Sequence, residues 1–547
     1  MGVCTGGQQT CNARGTGFGA CSGEVLLQPE TCLDAVDDDC NGAANEGGIG
    51  CACIPGSVAT CYPGPAGTAG VGRCKAGSQV CNGQGTALSA CVGVVLPQLD
   101  NCVTPADEDC DGAAAPCSGA HIWSSGWGGP LGDEGNSLAV DAANNIFFGG
   151  YANGPVDFGC GPVAVAAGND AALLMKRSPA GACLWNRSFG HNSQIVGVAA
   201  DAVGDVVATG IHGIDIDIDL GNGHVTSVGG NDGFVVKLDP GGAPLWSKTF
   251  GDAAAQTADS VAVDSAGDVI AYGYFNGTID LGGGPLESAG SSDLYVVKYS
   301  PTGVHLWSKR FGDVTTQLAK GLAVDPSGNI VITGTLNGTV SFGGAAVATA
   351  GNGDSFVAKL SPGGAHLWSK AFGDATNQVG SGVATDAAGD VILSGYFLGT
   401  MNFGAPTVPM TTAGGADCYI AKLDPTGAPL WSLHAGAINN QSFVAVAVDP
   451  FGNIGTVGVL NGASSFGGPV LTSAGGNDIM VAKYSPSGAH LWSRSFGDPA
   501  SQGVKGLVFD NVGDLLFIGL IFGPTDFGGG PVIGVGGEDM FLTKLGQ

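Results

Sequence analysis

A chain of 547 residues exceeds one ordinary hydrophobic core and has room for two or three domains. Glycine stands at 99 residues, hydrophobic side chains at 44% and charged ones at 12%, which excludes a collagen-like or an acidic disordered chain and favours short strands joined by tight turns. A net charge of −28 sets the surface against nucleic acid and anionic membranes, and leaves cations, neutral ligands such as glycans, or plain solubility.

Apolar runs are short. The longest, Leu515 to Phe522, is broken by Gly519 and is strand-sized, so no membrane insertion is expected. Met1 opens no signal peptide, and the expectation is that the chain is a fragment or has a misplaced start.

In chain order, the first segment is residues 1–117. It holds fourteen of the seventeen cysteines, and Cys4, Cys11, Cys21, Cys32 and Cys40 recur at Cys74, Cys81, Cys91, Cys102 and Cys110, always 70 residues on. The first copy starts partway through the unit. Dense cysteines in a segment with little core, without CxxC pairs, read as a disulfide framework in an oxidising compartment rather than zinc sites. A small, loop-dominated module is expected.

Each copy ends in an acidic knot. In the first, Asp37, Asp39, Asn41, Gly42 and Asn45 fit a D-x-D-x-[DN]-G-x-x-[DN] loop, with Glu46 following. Oxygens at alternating positions wrap one hard cation, and glycine permits the sharp turn. The second knot has Asp107, Asp109, Asp111 and Gly112, but Ala115 and Pro116 replace Asn45 and Glu46. Residues 1–117 contain no His or Trp and only Met1 as methionine, so softer metals lack ligands and calcium is the expected ion. Glu46 is at the tenth loop position rather than the twelfth, so this is not an EF-hand. The plainer reading is solvated acidic turns stapled by disulfides. The stretches ETCLDAVDDDCNGAANE and DNCVTPADEDCDGAA resemble the Cys/Asp-rich metal-binding repeat of MopE-like bacterial surface proteins. The resemblance covers about a fifth of the chain and implies metal binding at a cell surface, with copper associated with one branch of that family.

Residues 118–547 carry a second, longer repeat. Trp123, Trp185, Trp246, Trp307, Trp368, Trp431 and Trp492 are spaced by 62, 61, 61, 61, 63 and 61 residues. One period at this length marks a repeat architecture. The unit at 307 yields four strand candidates, GLAVD, NIVITGT, SFVAKL and HLWSKRF. The first contains mostly small residues in every copy and suits the innermost strand, where blades converge; the Trp strand suits the wider outer edge. Turns such as DPSG and SPGG separate them, with Gly six times and Asn144 once at the fourth position of the first turn. The expected fold is all-β, a seven-bladed β-propeller of four-stranded blades. The last copy stops after its third strand at Lys544-Leu545-Gly546-Gln547, while residues 118–123, SGAHIW, match 487–492, SGAHLW. The strand at 118–127 is therefore expected to complete the last blade and close the ring. These units resemble the SBBP-type β-propeller repeat of long bacterial extracytoplasmic proteins; the resemblance covers residues 118–547 and implies fold more than function.

Within the propeller, Asp141, Asp201, Asp264, Asp325, Asp386, Asp449 and Asp510 end the inner strands, and a turn-capping role outweighs a ring of cation ligands. Lys176, Lys237, Lys298, Lys359, Lys422, Lys483 and Lys544 recur in the third strand, preceded by Asp170, Asp232, Asp293, Asp354, Asp417, Asp478 and Asp539. Weak surface ion pairs between blades are expected of them. His121, His305, His366 and His490 stand two residues before a repeat Trp and read as part of the repeat. Residues 211–224, IHGIDIDIDLGNGH, depart from the other copies, and Asp215, Asp217 and Asp219 would share one face of a strand. Cys160 and Cys183 lie in one blade and can bridge.

Nucleophile elbows, HExxH, P-loops and paired catalytic acids are missing. The expected function is a secreted or surface-displayed, non-enzymatic binding or adhesion scaffold on a calcium-stabilised, disulfide-rich stalk, with a surface glycan or protein as partner. The alternatives are a propeller-based carbohydrate-active lyase or hydrolase, which predicts one rim where the copies diverge and polar residues cluster, and a structural surface-layer component.

Overall fold

A computed structural model describes residues 5–12, 14, 17–18, 22–28, 37, 40, 52–104, 106–114, 117–163, 165, 170–213, 217–221, 224–227 and 229–547. The chain divides into two compact units, Met1–Pro116 and Cys117–Gln547. Among the described residues every regular element is a strand, and no helix is long and apolar enough to cross a membrane.

The first unit has little regular structure. One two-stranded sheet pairs Val58–Cys61 with Gly77–Val80. Isolated bridges Thr5–Val25, Gln8–Ser22 and Cys11–Phe18 recur as Lys75–Val95, Ser78–Val92 and Cys81–Leu88, so the 70-residue repeat is also a repeat of pairing. Disulfides Cys53–Cys81, Cys61–Cys91 and Cys74–Cys110 close loops of 28, 30 and 36 residues. Such cross-links stand in for the core that a short, glycine-rich segment cannot build.

The second unit is a seven-bladed β-propeller. Blade 1 runs from Asp133 to Phe189, blade 2 from Ser193 to Phe250, blade 3 from Ser260 to Phe311, blade 4 from Leu318 to Phe372, blade 5 from Gln378 to Ala435 and blade 6 from Gln441 to Phe496. Blade 7 joins Gln502–Phe509, Leu515–Ile521 and Asp539–Leu545 to His121–Trp127, which pairs antiparallel with Asp539–Leu545. Each blade is a four-stranded antiparallel meander, strands a to d from the axis outward. In blade 4 these are Leu318–Val324, Ile330–Leu336, Asp354–Leu360 and His366–Phe372. Each blade also carries a small two-stranded hairpin between strands b and c, such as Thr339–Val340 with Val347–Ala348. The sequence reading missed these hairpins, whose strands of two or three residues fall below any periodicity signal.

Blades stack face to face, so strands b and c are covered on both sides and strand c is buried along its whole length in every blade. That burial overturns the expectation of weak surface ion pairs between blades. The repeated lysine pairs inside its own blade with the aspartate of the a–b turn: Lys237–Asp201 at 2.8 Å, Lys298–Asp264 at 2.7 Å, Lys359–Asp325 at 2.8 Å, Lys422–Asp386 at 2.7 Å, Lys483–Asp449 at 3.0 Å, Lys544–Asp510 at 2.7 Å and, more loosely, Lys176–Asp141 at 3.5 Å. The same aspartate caps its turn through its other oxygen. Asp325 Oδ1 accepts from the Ser327 and Asn329 amides at 2.8 and 2.9 Å. Left-handed backbone completes the turn, at Gly328 with φ 78° and at Asn144 with φ 61° in blade 1. The second repeated aspartate caps a different loop: Asp354 Oδ2 accepts from the Ala350 amide at 2.8 Å.

Neighbouring blades are joined by the repeat tryptophan. The indole N–H of Trp185 donates to the Pro240 carbonyl of the next blade at 3.1 Å, and Trp123, Trp246, Trp307, Trp368 and Trp431 do the same to Pro179, Pro301, Pro362, Pro425 and Pro486. Trp492 faces blade 7, which has no proline turn between its third and fourth strands because separate parts of the chain meet there. Its indole N–H is buried without a hydrogen-bond partner among the described residues. At that seam Arg494 donates instead to the Ser118 carbonyl, at 3.1 and 2.8 Å. In blade 1, Cys160 and Cys183 form a disulfide.

Lys359→Met should destabilise the protein by about 3–5 kcal/mol, because Asp325 is left as a buried, unpaired charge. Adding Asp325→Asn should recover much of that loss. Chemical denaturation of the single and double variants measures both effects; a loss below about 1 kcal/mol for Lys359→Met would place the pair at the surface.

Candidate binding site in the central channel

Inner strands carry small side chains because seven of them converge on the axis. A β-bulge interrupts this strand in six blades, between Gly135 and Ser137, Ile195 and Gly197, Ala319 and Gly321, Gly380 and Gly382, Phe443 and Ala445, and Val504 and Gly506. A bulge places one extra residue out of the ladder and re-aims its side chain. The bulged residues are Asn136, Val196, Lys320, Ser381, Val444 and Lys505; in blade 3 the matching position is Asp259, just before Ser260–Val263. All seven line one central cavity of about 750 Å³, with Gln194, Thr257, Tyr274 and Tyr396 among its other walls.

This ring is where the copies stop resembling each other. Five residues before each turn aspartate the chain reads Asn, Val, Asp, Lys, Ser, Val, Lys. Sequence reading missed it, although an aligned repeat exposes that column; the eye is drawn to invariant positions, and these serve the blade.

The electrostatics are uneven around the ring. Lys505 pairs with Glu134 at 2.5 Å, joining blades 7 and 1. Asp259 accepts the Thr257 hydroxyl at 2.5 Å. Burial raises its carboxyl to about 6; the Thr257 hydrogen bond and the charge of Lys320 on blade 4 pull the other way without cancelling it. Lys320 is exposed to the channel and makes no ion pair within 4 Å among the described residues. Asn136 is anchored, its amide donating to the Ile195 carbonyl at 2.9 Å. The channel thus offers an ammonium, a weakly acidic carboxyl, amides and hydroxyls on different blades, a set suited to a polar ligand with several hydrogen-bonding groups.

Of the acidic knots, the first lies outside the described residues at Asp39, Asn41, Asn45 and Glu46; only Asp37, which is buried, and Cys40 are described. In the second, the structure gathers carboxylate oxygens of Asp100, Asp107 and Asp109 within 4.8 Å of one another. Asp100 was not anticipated, because it stands seven residues before the loop and shares no spacing with it. Its Oδ1 accepts the Glu108 and Asp109 amides at 2.6 and 2.9 Å, which folds it back onto the knot. Asp111 is drawn the other way, capping the Ala113 amide at 2.9 Å while its own amide donates to Asp107 and Asp109. Burial raises the Asp109 carboxyl, and the charges of Asp100, Asp111 and Asp107 add to that rise. Among the described residues, Asp100, Asp107 and Asp109 are the acids placed closely enough to share one hard cation.

Within 211–224, Ile211 and His212 end strand b of blade 2, and Asp217–Asp219 pairs with His224–Thr226 as its b–c hairpin. Asp219 caps the Gly221 amide at 2.7 Å, as Asp157, Asp280 and Asp526 cap the same turn in blades 1, 3 and 7. Asp215 and the side chains of Asp217 and His224 lie outside the described residues. His121, His305, His366 and His490 each bond a serine three residues on, on separate blades.

Asp259 supplies a pH test. Its folded-state value, about 6, lies above that of an unfolded aspartate, so ionisation opposes folding; the penalty is absent below about pH 4 and grows as pH rises through 6. Asp259→Asn should therefore raise stability by about 1–2 kcal/mol at pH 7 and leave it unchanged near pH 4, read from denaturation at both values. Equal effects at the two pH values would contradict this.

No protein-family profile matches the chain. Over 202 residues it is 27% identical to an uncharacterised WD repeat-containing protein of Acanthamoeba polyphaga mimivirus, a match covering 31% of this chain and 14% of that protein's length. Propellers of low identity are found among solved structures. YCF48 bound to a D1 peptide is 10% identical with a TM-score of 0.36, covering 79% of this chain and 98% of that one. A gluconolactonase from Xanthomonas campestris is 13% identical with a TM-score of 0.28, covering 62% of this chain and 85% of that one. These likenesses carry no argument about function. The chain is a seven-bladed, four-stranded β-propeller with WD-repeat-like similarity over part of its length, preceded by a disulfide-rich unit.

Proposed function

We propose that the protein is an extracytoplasmic, non-enzymatic binding scaffold that takes a surface glycan through the mouth of its channel. One observation carries this reading. The bulge column and its blade 3 equivalent present Asn136, Asp259, Lys320, Ser381 and Lys505 to a shared cavity of about 750 Å³, beside Gln194, Thr257, Tyr274 and Tyr396. Uniform positions hold the ring together; among the varying polar ones, Lys320 is exposed and makes no ion pair among the described residues, while Asn136 bonds the Ile195 carbonyl and Lys505 pairs with Glu134. These groups come from blades 1, 3, 4, 5 and 7 and ring the cavity; a divergent polar rim is also what the lyase or hydrolase alternative calls for, and turnover of a polysaccharide by the full chain would decide for that reading. Disulfides in both units support an oxidising, extracytoplasmic setting. The first unit serves as a stalk, held by its disulfides and by calcium at Asp100, Asp107 and Asp109, with the Asp37 knot as the counterpart site.

Two measurements test the reading. Binding of neutral and acidic polysaccharides to the full chain should fall about tenfold or more in Lys320→Ala and in Asp259→Asn, while both variants keep the wild-type circular dichroism. Affinity unchanged in both would move the ligand away from the channel. Calcium calorimetry on the oxidised full chain should show saturable binding that weakens in Asp107→Ala and in Asp37→Ala; no heat of binding would reduce the knots to solvated turns.

A further inference from the structure

Strand d ends in an aromatic residue that is pushed into the next blade. Four residues after the repeat tryptophan the chain carries Trp127, Phe189, Phe250, Phe311, Phe372 and Phe496 in six blades, but Ala435 in blade 5. Where phenylalanine is present it packs on the hairpin of the neighbouring blade: Phe311 lies 5.1 Å from Phe342, Phe372 lies 4.5 Å from Phe403 and Phe496 lies 5.4 Å from Phe527, between ring centroids. At the junction of blades 5 and 6 the hairpin ring is present, as Phe466, and its partner ring is missing.

Blade 6 compensates only in part. Six residues before its turn aspartate it carries Phe443, where the other blades have Gly135, Ile195, Ala258, Ala319, Gly380 and Val504. Phe443 approaches Phe466 from the axial side, 6.1 Å between centroids. A cavity of about 180 Å³ remains, open to solvent, lined by Ile420, Leu433, Ala435, Phe443, Phe466 and Tyr484, with the His490 ring beside Tyr484; the His434 ring turns to the other face of its strand, against Phe397. The same groove between blades 3 and 4 is a different surface: Phe311 fills its floor, and Lys309 and Arg310 charge its wall where blade 5 has Leu433 and His434. Apolar cavities of about 150 Å³ lined by aliphatic and aromatic side chains stay dry and take up benzene.

We propose that the junction of blades 5 and 6 is a binding pocket for a single six-membered aromatic ring, free or carried on a larger ligand, seated where the other blades place their own phenylalanine. The ring stacks against Phe466 and Phe443. Leu433 and Ile420 supply apolar contact, and a hydroxyl on the ring points outward to the imidazole of His490. Occupant size follows from the phenyl group that fills the matching space at five other junctions. The pocket is distinct from the channel, because it opens on the outer strand and not on the axis.

The probe is 4-fluorophenol, followed by fluorine NMR on the full-length protein. Wild type should bind one equivalent saturably. Ala435→Phe restores the missing ring and should abolish that binding while leaving or raising the melting temperature, since it fills a cavity. Ala435→Leu, a smaller intrusion, should weaken binding about tenfold and covers the case in which the larger substitution misfolds. N-acetylphenylalanine amide distinguishes a pocket that also accepts a peptide-borne ring from one limited to free phenols. No saturable binding by wild type, or binding unchanged in both variants, overturns the proposal.

Discussion

An ammonium group buried inside every blade is the constraint around which the repeat is organised. The third strand is covered on both faces, yet carries a lysine as its sixth residue, so a carboxylate has to meet it from inside the fold. The turn aspartate does so, and its second oxygen caps the turn that holds it. Because the lysine also reaches across the seam, as Lys176 does to the Pro240 carbonyl at 3.2 Å and Lys359 to the Pro425 carbonyl at 3.4 Å, one side chain fixes turn, strand and neighbour together. The tryptophan bond to that same proline carbonyl repeats the link further out. A buried pair of this kind contributes more to a single, well-defined register than to net stability.

Departures from this plan are few and localised. The bulge column breaks symmetry along the axis, Ala435 breaks it on the outer edge, and the seam of blade 7 breaks it where distant parts of the chain meet. At the seam, Asp133 stands where five other junctions have a glutamine: Gln256, Gln317, Gln378, Gln441 and Gln502. It is wholly buried, accepts the Gly129 and Asn153 amides at 2.6 and 3.0 Å, and is raised to about 6, chiefly by burial, with the charges of Asp539 and Asp170 adding to the rise. Repetition satisfies the blade's own polar groups so fully that the exceptions stand out as places with another task, or with a cost left over from closing the circle.

Much of this was legible in the sequence. The Trp spacing and the DPSG-type turns carry blade number, strand order and turn chemistry, since each depends on local residue types. The SGAHIW segment carries its resemblance to the outer strand across more than 360 residues because it kept the motif. Partnership was harder to read. Lys359 and Asp325 are 34 residues apart in sequence, and nothing local says that strand c is buried on both faces, so Asp325 read only as a turn cap and Lys359 as a surface partner of the aspartates that precede strand c. Asp100 was hidden for the same reason, reaching its knot through a backbone reversal rather than a spacing. The channel ring was visible only as a column that fails to repeat, and the blade 5 pocket only as one missing phenyl group.

Seven equivalent blades form one ring, closed by the strand His121–Trp127 against Asp539–Leu545. The most direct test removes residues 118–127 from the otherwise intact chain and follows unfolding by calorimetry. Closure by this strand predicts a lower melting temperature and a broader transition spread over the whole propeller, because both open edges and the contacts of blade 7 are lost together. A melting temperature and width equal to those of the intact chain would show that the ring holds without its seam, and would contradict the account.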